Sequence, residues 1–228
     1  MLMGDVTRHA ADSGGAQAAA THRLIVIRHG ETEWSKTGRH TGSTDIDLTD
    51  TGVEQARSLT DPVAGLSLVS PVVISSPRVR ARRTAELAGL TVDETDEAVT
   101  EWDYGDYEGR TSTDIHETRP GWNVFDDGGP GGESPEAMTR RVDGVIASII
   151  PRLESGDVVV VTHGHFSRSL LARWVGAPIA LGQHLTMLPA SIAVLGYDGR
   201  SRNLTALGIT GYRSADYVDA GRPSRRMS

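Results

Sequence analysis
Two short apolar runs in this chain end in the same dipeptide. Leu24-Ile25-Val26-Ile27 runs into Arg28-His29-Gly30-Glu31, and Val158-Val159-Val160-Val161 runs into Thr162-His163-Gly164-His165. A third run, Val72-Val73-Ile74, is followed by Ser75-Ser76-Pro77 and delivers Arg80 one turn into the next helix. Ligands of open α/β sheets bind beyond the carboxyl ends of the strands, so the pattern gathers two histidines and two arginines at one sheet edge. Histidine offers a nucleophilic or proton-accepting ring nitrogen. Arginine offers a permanent charge whose forked donors match oxyanions. Each residue alone reads as an ordinary hydrogen-bonded or surface group. Together, with a glycine after each histidine to let a ligand approach the backbone, they describe a site for a dianionic oxygen group.

The elements that must position them follow from the same pattern. Continuous apolar runs of four or five residues are strands buried on both faces. Ile192-Ala193-Val194-Leu195 is a fourth, and Leu204 to Ile209 is a weaker, edge-like candidate. Between them, Thr49 is placed to cap a helix through Gln55 and Leu59. Ser76-Pro77 reads as cap plus first-turn proline of a helix to about Ala88. Ser134-Pro135-Glu136 starts another, with an apolar stripe of Met138, Val142, Val145, Ile146, Ile149, Ile150 and Leu153. His165 to Val175 completes the set, ended by Gly176 and Pro178. Strands alternating with helices predict an α/β fold, a three-layer αβα sandwich around a mainly parallel central sheet. The expected domain spans 22–212. Residues 1–21, rich in Ala and Gly, and 213–228 are expected to be disordered tails.

Bulk properties narrow the function. The net charge of −7 leaves no basic footprint for nucleic acid, so any anion site is a local cluster of cations. The absence of cysteine removes thiol catalysis, disulfides and cysteine metal sites. No apolar stretch approaches membrane-spanning length and no signal-peptide core is seen at the start, which makes a cytoplasmic address the default. A small homodimer is the default oligomer.

Arg28-His29-Gly30-Glu31-Thr32 resembles the RHGE/T signature of the histidine phosphatase superfamily, in its phosphoglycerate mutase-like branch. The likeness continues in order through Trp34-Ser35, Gly38-Arg39, Thr41-Gly42, Asp47-Leu48-Thr49, Gly52 and Gln55-Ala56. It recurs in Ser75 to Ala85, in Glu101-Trp102-Asp103-Tyr104-Gly105 with Glu108-Gly109, in Gly132-Glu133-Ser134 and in His163-Gly164. The resemblance implies a phosphoglycerate mutase-like fold and a phosphatase that works through a phosphohistidine, with no metal and no cofactor. His29 is the implied nucleophile, held in one tautomer by a backbone carbonyl just downstream. Arg28, Arg80 and His163 are implied to hold the phosphoryl oxygens. Glu101 is the implied acid for the leaving oxygen, then base for water. Ser35, Thr41, Gly42, Tyr104 and Gly164 match positions around the phosphate or the substrate mouth, although Ser35 stands where many relatives have Asn.

His165 lies outside the shared pattern and reads as a helix cap rather than a leaving-group contact. Trp102, Trp122 and Phe125 read as core. The Gly-rich stretch from Asp126 to Gly132 reads as a short lid over an open pocket.

Three alternatives stand beside this reading. A cofactor-dependent phosphoglycerate mutase would need the long substrate-holding insertion between the Glu and the second His. Only 61 residues separate Glu101 from His163, and Arg110-Thr111-Ser112-Thr113 stands where the mutases carry a substrate-binding Lys. A zinc hydrolase could use His163, His165, His29 and His40, but two arginines beside them would repel the cation. An inactive interaction module would be expected to have lost Glu101 or one of the histidines. A phosphomonoesterase acting on small phosphorylated metabolites is the expectation.

Overall fold
The computed structural model describes residues 22–212. The two expected tails, 1–21 and 213–228, lie outside the described residues. In chain order the elements are β1 (Leu24–Arg28), α1 (Glu33–Lys36), α2 (Asp50–Arg57), α3 (Thr60–Gly65), β2 (Val72–Ser75), α4 (Val79–Leu87), β3 (Glu94–Thr95), α5 (Ser112–Thr118), α6 (Val124–Asp127), α7 (Pro135–Ile149), β4 (Val158–Thr162), α8 (Gly164–Trp174), β5 (Ile192–Asp198) and β6 (Ser201–Ile209). They build one six-stranded sheet of order β3-β2-β4-β1-β5-β6. The first four strands run parallel; β5 and β6 are antiparallel to their neighbours.

The apolar runs are explained by this arrangement. Successive strand residues face opposite sides of a sheet. In β1 and β4, Leu24, Val26, Val158 and Val160 enter the core on one face, against α7 and α8. Ile25, Ile27, Val159 and Val161 enter the core on the other, with Ala81 and Ala85 of α4. Both strands sit at the centre of the sheet, so every position needs an apolar side chain. Their carboxyl ends are adjacent, Arg28 pairing with Thr162. That register sets His29 beside His163.

Several boundaries move from expectation for local reasons. Thr49 and Ser134 cap α2 and α7 as expected, accepting from the Gly52 and Ala137 N–H groups. Helix α2 stops at Arg57, because Pro62 has no N–H for the Ser58 carbonyl; a separate α3 follows. In the same way Pro151 turns the end of α7 into a 3-10 segment, Ile150–Glu154, which still buries Leu153. Ser76 does not cap α4, which starts at Val79 after an extended Arg78. The Ser76 hydroxyl instead accepts from the Arg78 N–H (3.3 Å), one residue before the helix, and from the His163 ring (2.8 Å).

The Gly-rich stretch is not a lid. Asp126 and Asp127 close α6, and the glycines pack against the 103–106 turn. The Asp106 N–H donates to Pro130 O (2.8 Å), and Glu133 N–H donates to Asp103 O (2.9 Å). A Cβ on Gly129 would stand 2.4 Å from the Tyr104 carbonyl oxygen, so only glycine allows the two backbones to lie this close. The stretch is glycine-rich in order to seat Tyr104.

That packing predicts opposite signs for one substitution at two places. Gly129→Ala should lower the unfolding free energy by about 2 kcal/mol or more through backbone overlap. Gly144→Ala, in the exposed middle of α7 with nothing within 4 Å of the new methyl, should raise it by about 0.5–1 kcal/mol. Urea denaturation of the two variants checks both.

Candidate active site
His29 leaves the end of β1 and is pinned from several sides. Its N–H donates to Thr162 O (2.9 Å), and its carbonyl accepts from the N–H of Ala190 (3.0 Å), a residue held at φ +47°. The next residue is equally fixed, with Gly30 N–H donating to Thr84 Oγ1 (3.0 Å). A Cβ on Gly30 would meet the Gly52 carbonyl at 2.5 Å. The ring follows the backbone: His29 Nδ1 lies 2.7 Å from Gly30 O. A carbonyl only accepts, so Nδ1 carries the proton and Nε2 keeps its lone pair. Burial, then the positive charges of Arg80 and Arg28, push the His29 pKa well below the ordinary 6.5. The ring is a neutral base with one free nitrogen.

Arg80 and His163 lie beneath it. Arg80 is fully buried. Its Nη1 donates to Thr44 O (2.9 Å) and its Nη2 to the carbonyls of Thr41 and Gly42 (3.2 Å each). Its Nε donates to His163 Nδ1 at 3.1 Å. This last bond makes Nδ1 an acceptor, which leaves Nε2–H of His163 to donate to Ser76 Oγ. Burial, Arg80 and His29 push the His163 pKa well below its usual value, so this ring too is neutral. The loop that cradles Arg80 is itself held by Glu108, which accepts from Gly42 N–H (2.8 Å) and Thr44 N–H (3.0 Å).

Glu101 is bonded to the start of α8, the helix that follows His163. Its Oε1 accepts from the N–H groups of Trp102 (2.9 Å) and Phe166 (2.8 Å), and its Oε2 from His165 N–H (2.9 Å). Two of these donors are free N–H groups of the first turn of α8, where a carboxylate also meets the favourable end of the helix dipole. Oε2 retains lone-pair capacity for a further partner.

These groups border a cavity of about 380 Å³. Of the sequence-predicted residues, Arg28, His29, Ser35, Thr41, Glu101, Tyr104 and Gly164 line it. Arg80, His163 and Gly42 are buried and do not line it. Ser35 also closes a capping box at the start of α1, its hydroxyl bonding the Thr32 backbone. A Cβ on Gly164 would sit 3.2 Å from the Arg28 guanidinium carbon, so glycine makes room for that side chain. His165 is a correction: it lines the cavity and caps nothing, because Glu101 already serves the α8 N–H groups. Trp102, Trp122 and Phe125 are core, as expected.

Sequence reasoning missed Thr84, Gln55, Ser76, Glu108 and the 183–188 wall. The four polar residues lie within the blocks that carry the resemblance, but their partners are far apart in sequence, and none of those blocks covers the wall. Among the described residues no group of three or more His, Cys, Asp or Glu is arranged to hold a metal ion. His163 has both ring nitrogens engaged. No helix among the described residues is long and apolar enough to cross a membrane.

A model of the histidine phosphatase superfamily, branch 1, matches residues 24–210. The chain belongs to that superfamily. An acid phosphatase of Mycobacterium tuberculosis is 47% identical over 191 residues, covering 84% of this chain and 94% of the relative. A 2,3-bisphosphoglycerate-dependent phosphoglycerate mutase of Rhizobium meliloti is more distant, 33% identical over 65% of this chain and 77% of the mutase. A solved structure of an open reading frame product from Mycobacterium tuberculosis superposes with a TM-score of 0.83 at 47% identity, over 84% of this chain and all of the other. This histidine phosphatase is a phosphoric monoester hydrolase with the expected αβα architecture.

The neutral histidines carry a pH signature. His40, buried beside Tyr104, is pushed down to about 4 by burial. In the unfolded chain it titrates near 6.5. Below that value the unfolded state binds a proton that the folded state refuses, so stability falls as pH drops from about 6.5 toward 4. His29, His163 and His165 act in the same direction. Urea denaturation at several pH values should show this loss. His40→Gln should reduce the slope between about pH 4.5 and 6 by roughly 1.4 kcal/mol per pH unit, one proton's worth.

Proposed function
We propose that this phosphatase hydrolyses small phosphorylated metabolites through a phosphohistidine on His29. One observation carries the proposal. The Gly30 carbonyl holds the proton on Nδ1, so the unprotonated Nε2 is free at a cavity lined by Arg28. The Nε2 lone pair attacks phosphorus in line with the ester oxygen, and the P–O bond breaks as the P–N bond forms. Glu101, protonated for this step, gives its proton to the departing alkoxide through Oε2. The same carboxylate then takes a proton from water, which attacks phosphorus, breaks the P–N bond and releases phosphate and neutral His29. Arg28, at the cavity wall, supplies positive charge and donors for the phosphoryl oxygens, and buried Arg80, braced by His163, adds its field.

Hydrolysis is favoured over mutase chemistry by the pocket. A mutase must shield the phosphohistidine from water until an acceptor returns. Here the Gly-rich stretch packs under Tyr104, and none of its residues lines the cavity. The higher identity to the acid phosphatase points the same way.

Rapid quench with a ³²P-labelled ester should trap label on His29, and His29→Ala should abolish both label and turnover while keeping the folded circular dichroism spectrum. Retained turnover without trapped label defeats the mechanism.

The Glu101 role has its own test. Nitrophenolate leaves with little help, whereas an alkoxide needs a proton. Glu101→Gln should lower kcat/KM by on the order of 10²-fold or more for glycerol phosphate, and much less for p-nitrophenyl phosphate. Equal losses would remove Glu101 as the acid.

A further inference from the structure
Beside Leu185, Met187 and Leu188, the cavity wall carries hydrogen-bond donors that the phosphoryl chemistry does not use. Tyr104 is almost fully buried, and burial followed by the charge of Glu101 keeps its phenol protonated, well above its ordinary pKa. Among the described residues its hydroxyl has one hydrogen-bond partner, His165 Nδ1, at 2.6 Å. A buried O–H must donate, so Nδ1 of His165 is the acceptor. Burial, then the charges of Arg168, His40 and Arg28, keep the ring neutral. The proton of His165 is therefore on Nε2. His165 is half-buried, lines the cavity and lies at the first turn of α8, its own N–H on Glu101 Oε2. His165 thus lines the same cavity as the carboxylate assigned to the leaving oxygen.

The surroundings match. Arg168 lines the same wall. It is held by the carbonyls of Gly182 (2.7 Å) and Gln183 (3.0 Å) and stacked 4.8 Å over the Phe125 ring. Gln183 accepts on Oε1 from Asn123 Nδ2, which leaves its own amide N–H₂ as a donor. Glu101 is the one carboxylate lining this cavity. Such a wall leaves donors unpaired unless the alcohol half of the substrate brings oxygens of its own.

We propose that His165, oriented by Tyr104, is a specificity-determining residue: its Nε2–H donates to an oxygen substituent on the alcohol half of the ester. The enzyme thereby prefers phosphate esters of polyols and hydroxy acids over esters of unsubstituted alcohols. The proposal rests on the phosphatase reading above. Tyr104 is a positioning residue, acting through the ring it holds, and a neutral His165 is a donor rather than the acid.

The test compares glycerol 3-phosphate with n-propyl phosphate, two alkyl esters that differ in the hydroxyl groups. The wild-type enzyme should favour the glycerol ester in kcat/KM by roughly tenfold or more. His165→Leu should bring the ratio near one. His165→Gln, which keeps an N–H of similar reach, should recover part of it. Tyr104→Phe should lower the ratio and, in ¹⁵N-detected imidazole spectra, turn a single Nε2–H tautomer of His165 into a mixture. An unchanged ratio in His165→Leu, or an Nδ1–H tautomer in the wild type, overturns the proposal. Phosphohistidine formed equally well from both esters also overturns it but leaves the phosphatase reading standing. If neither these esters nor p-nitrophenyl phosphate yields phosphohistidine, the phosphatase reading itself falls.

Discussion

A guanidinium buried without water must be solvated by the protein, and the site is organised around that demand at Arg80. Desolvating such a charge is costly unless every side of it meets an acceptor. Three carbonyls from the 41–44 loop and the ring of His163 provide them. Satisfying Arg80 therefore ties together α4, the end of β4 and a loop that follows α1. Glu108 holds that loop by its N–H groups, which brings the 105–108 turn into the same network. No member can move without leaving a charge or a buried N–H unpaired.

The same cation sets the chemistry of its neighbours. Its Nε bond decides which nitrogen of His163 is protonated. Its field, added to burial, keeps His29 neutral, and the Gly30 carbonyl decides which His29 nitrogen is free. A ring prepared in this way resists protonation as pH falls. The cost appears in stability, because buried histidines that refuse protons favour the unfolded chain as pH falls.

The leaving-group side is organised by a second, weaker constraint. The glycines of the 128–132 stretch let that backbone lie against the 103–106 turn, and the turn aims the Tyr104 hydroxyl at His165. Glu101 is set between the two halves by the first turn of α8. Glu101 and His165 thus share one helix start but are held by different packing.

Much of this was legible in the sequence because it rests on local rules. Buried central strands need apolar residues at every position, so β1, β2, β4 and β5 could be read from their runs. Caps at Thr49 and Ser134 follow from one side-chain oxygen and nearby N–H groups. The RHGE and HG blocks place Arg28, His29, His163 and Gly164 at adjacent strand ends. The rest depends on contacts between residues far apart in the chain, which no periodicity records. Ser76 looks like a helix cap, yet its hydroxyl is claimed by a histidine 87 residues away. The stretch from Asp126 to Gly132 looks like a lid, but its glycines serve close packing. His165 looks like a cap, but Glu101 reaches the helix start first and frees the ring for the cavity. The sequence by itself determined which residues could do chemistry and which strands carry them. Only the tertiary structure decided which of them face the cavity, because competition for each buried donor and acceptor is settled by whatever the fold brings within 3 Å.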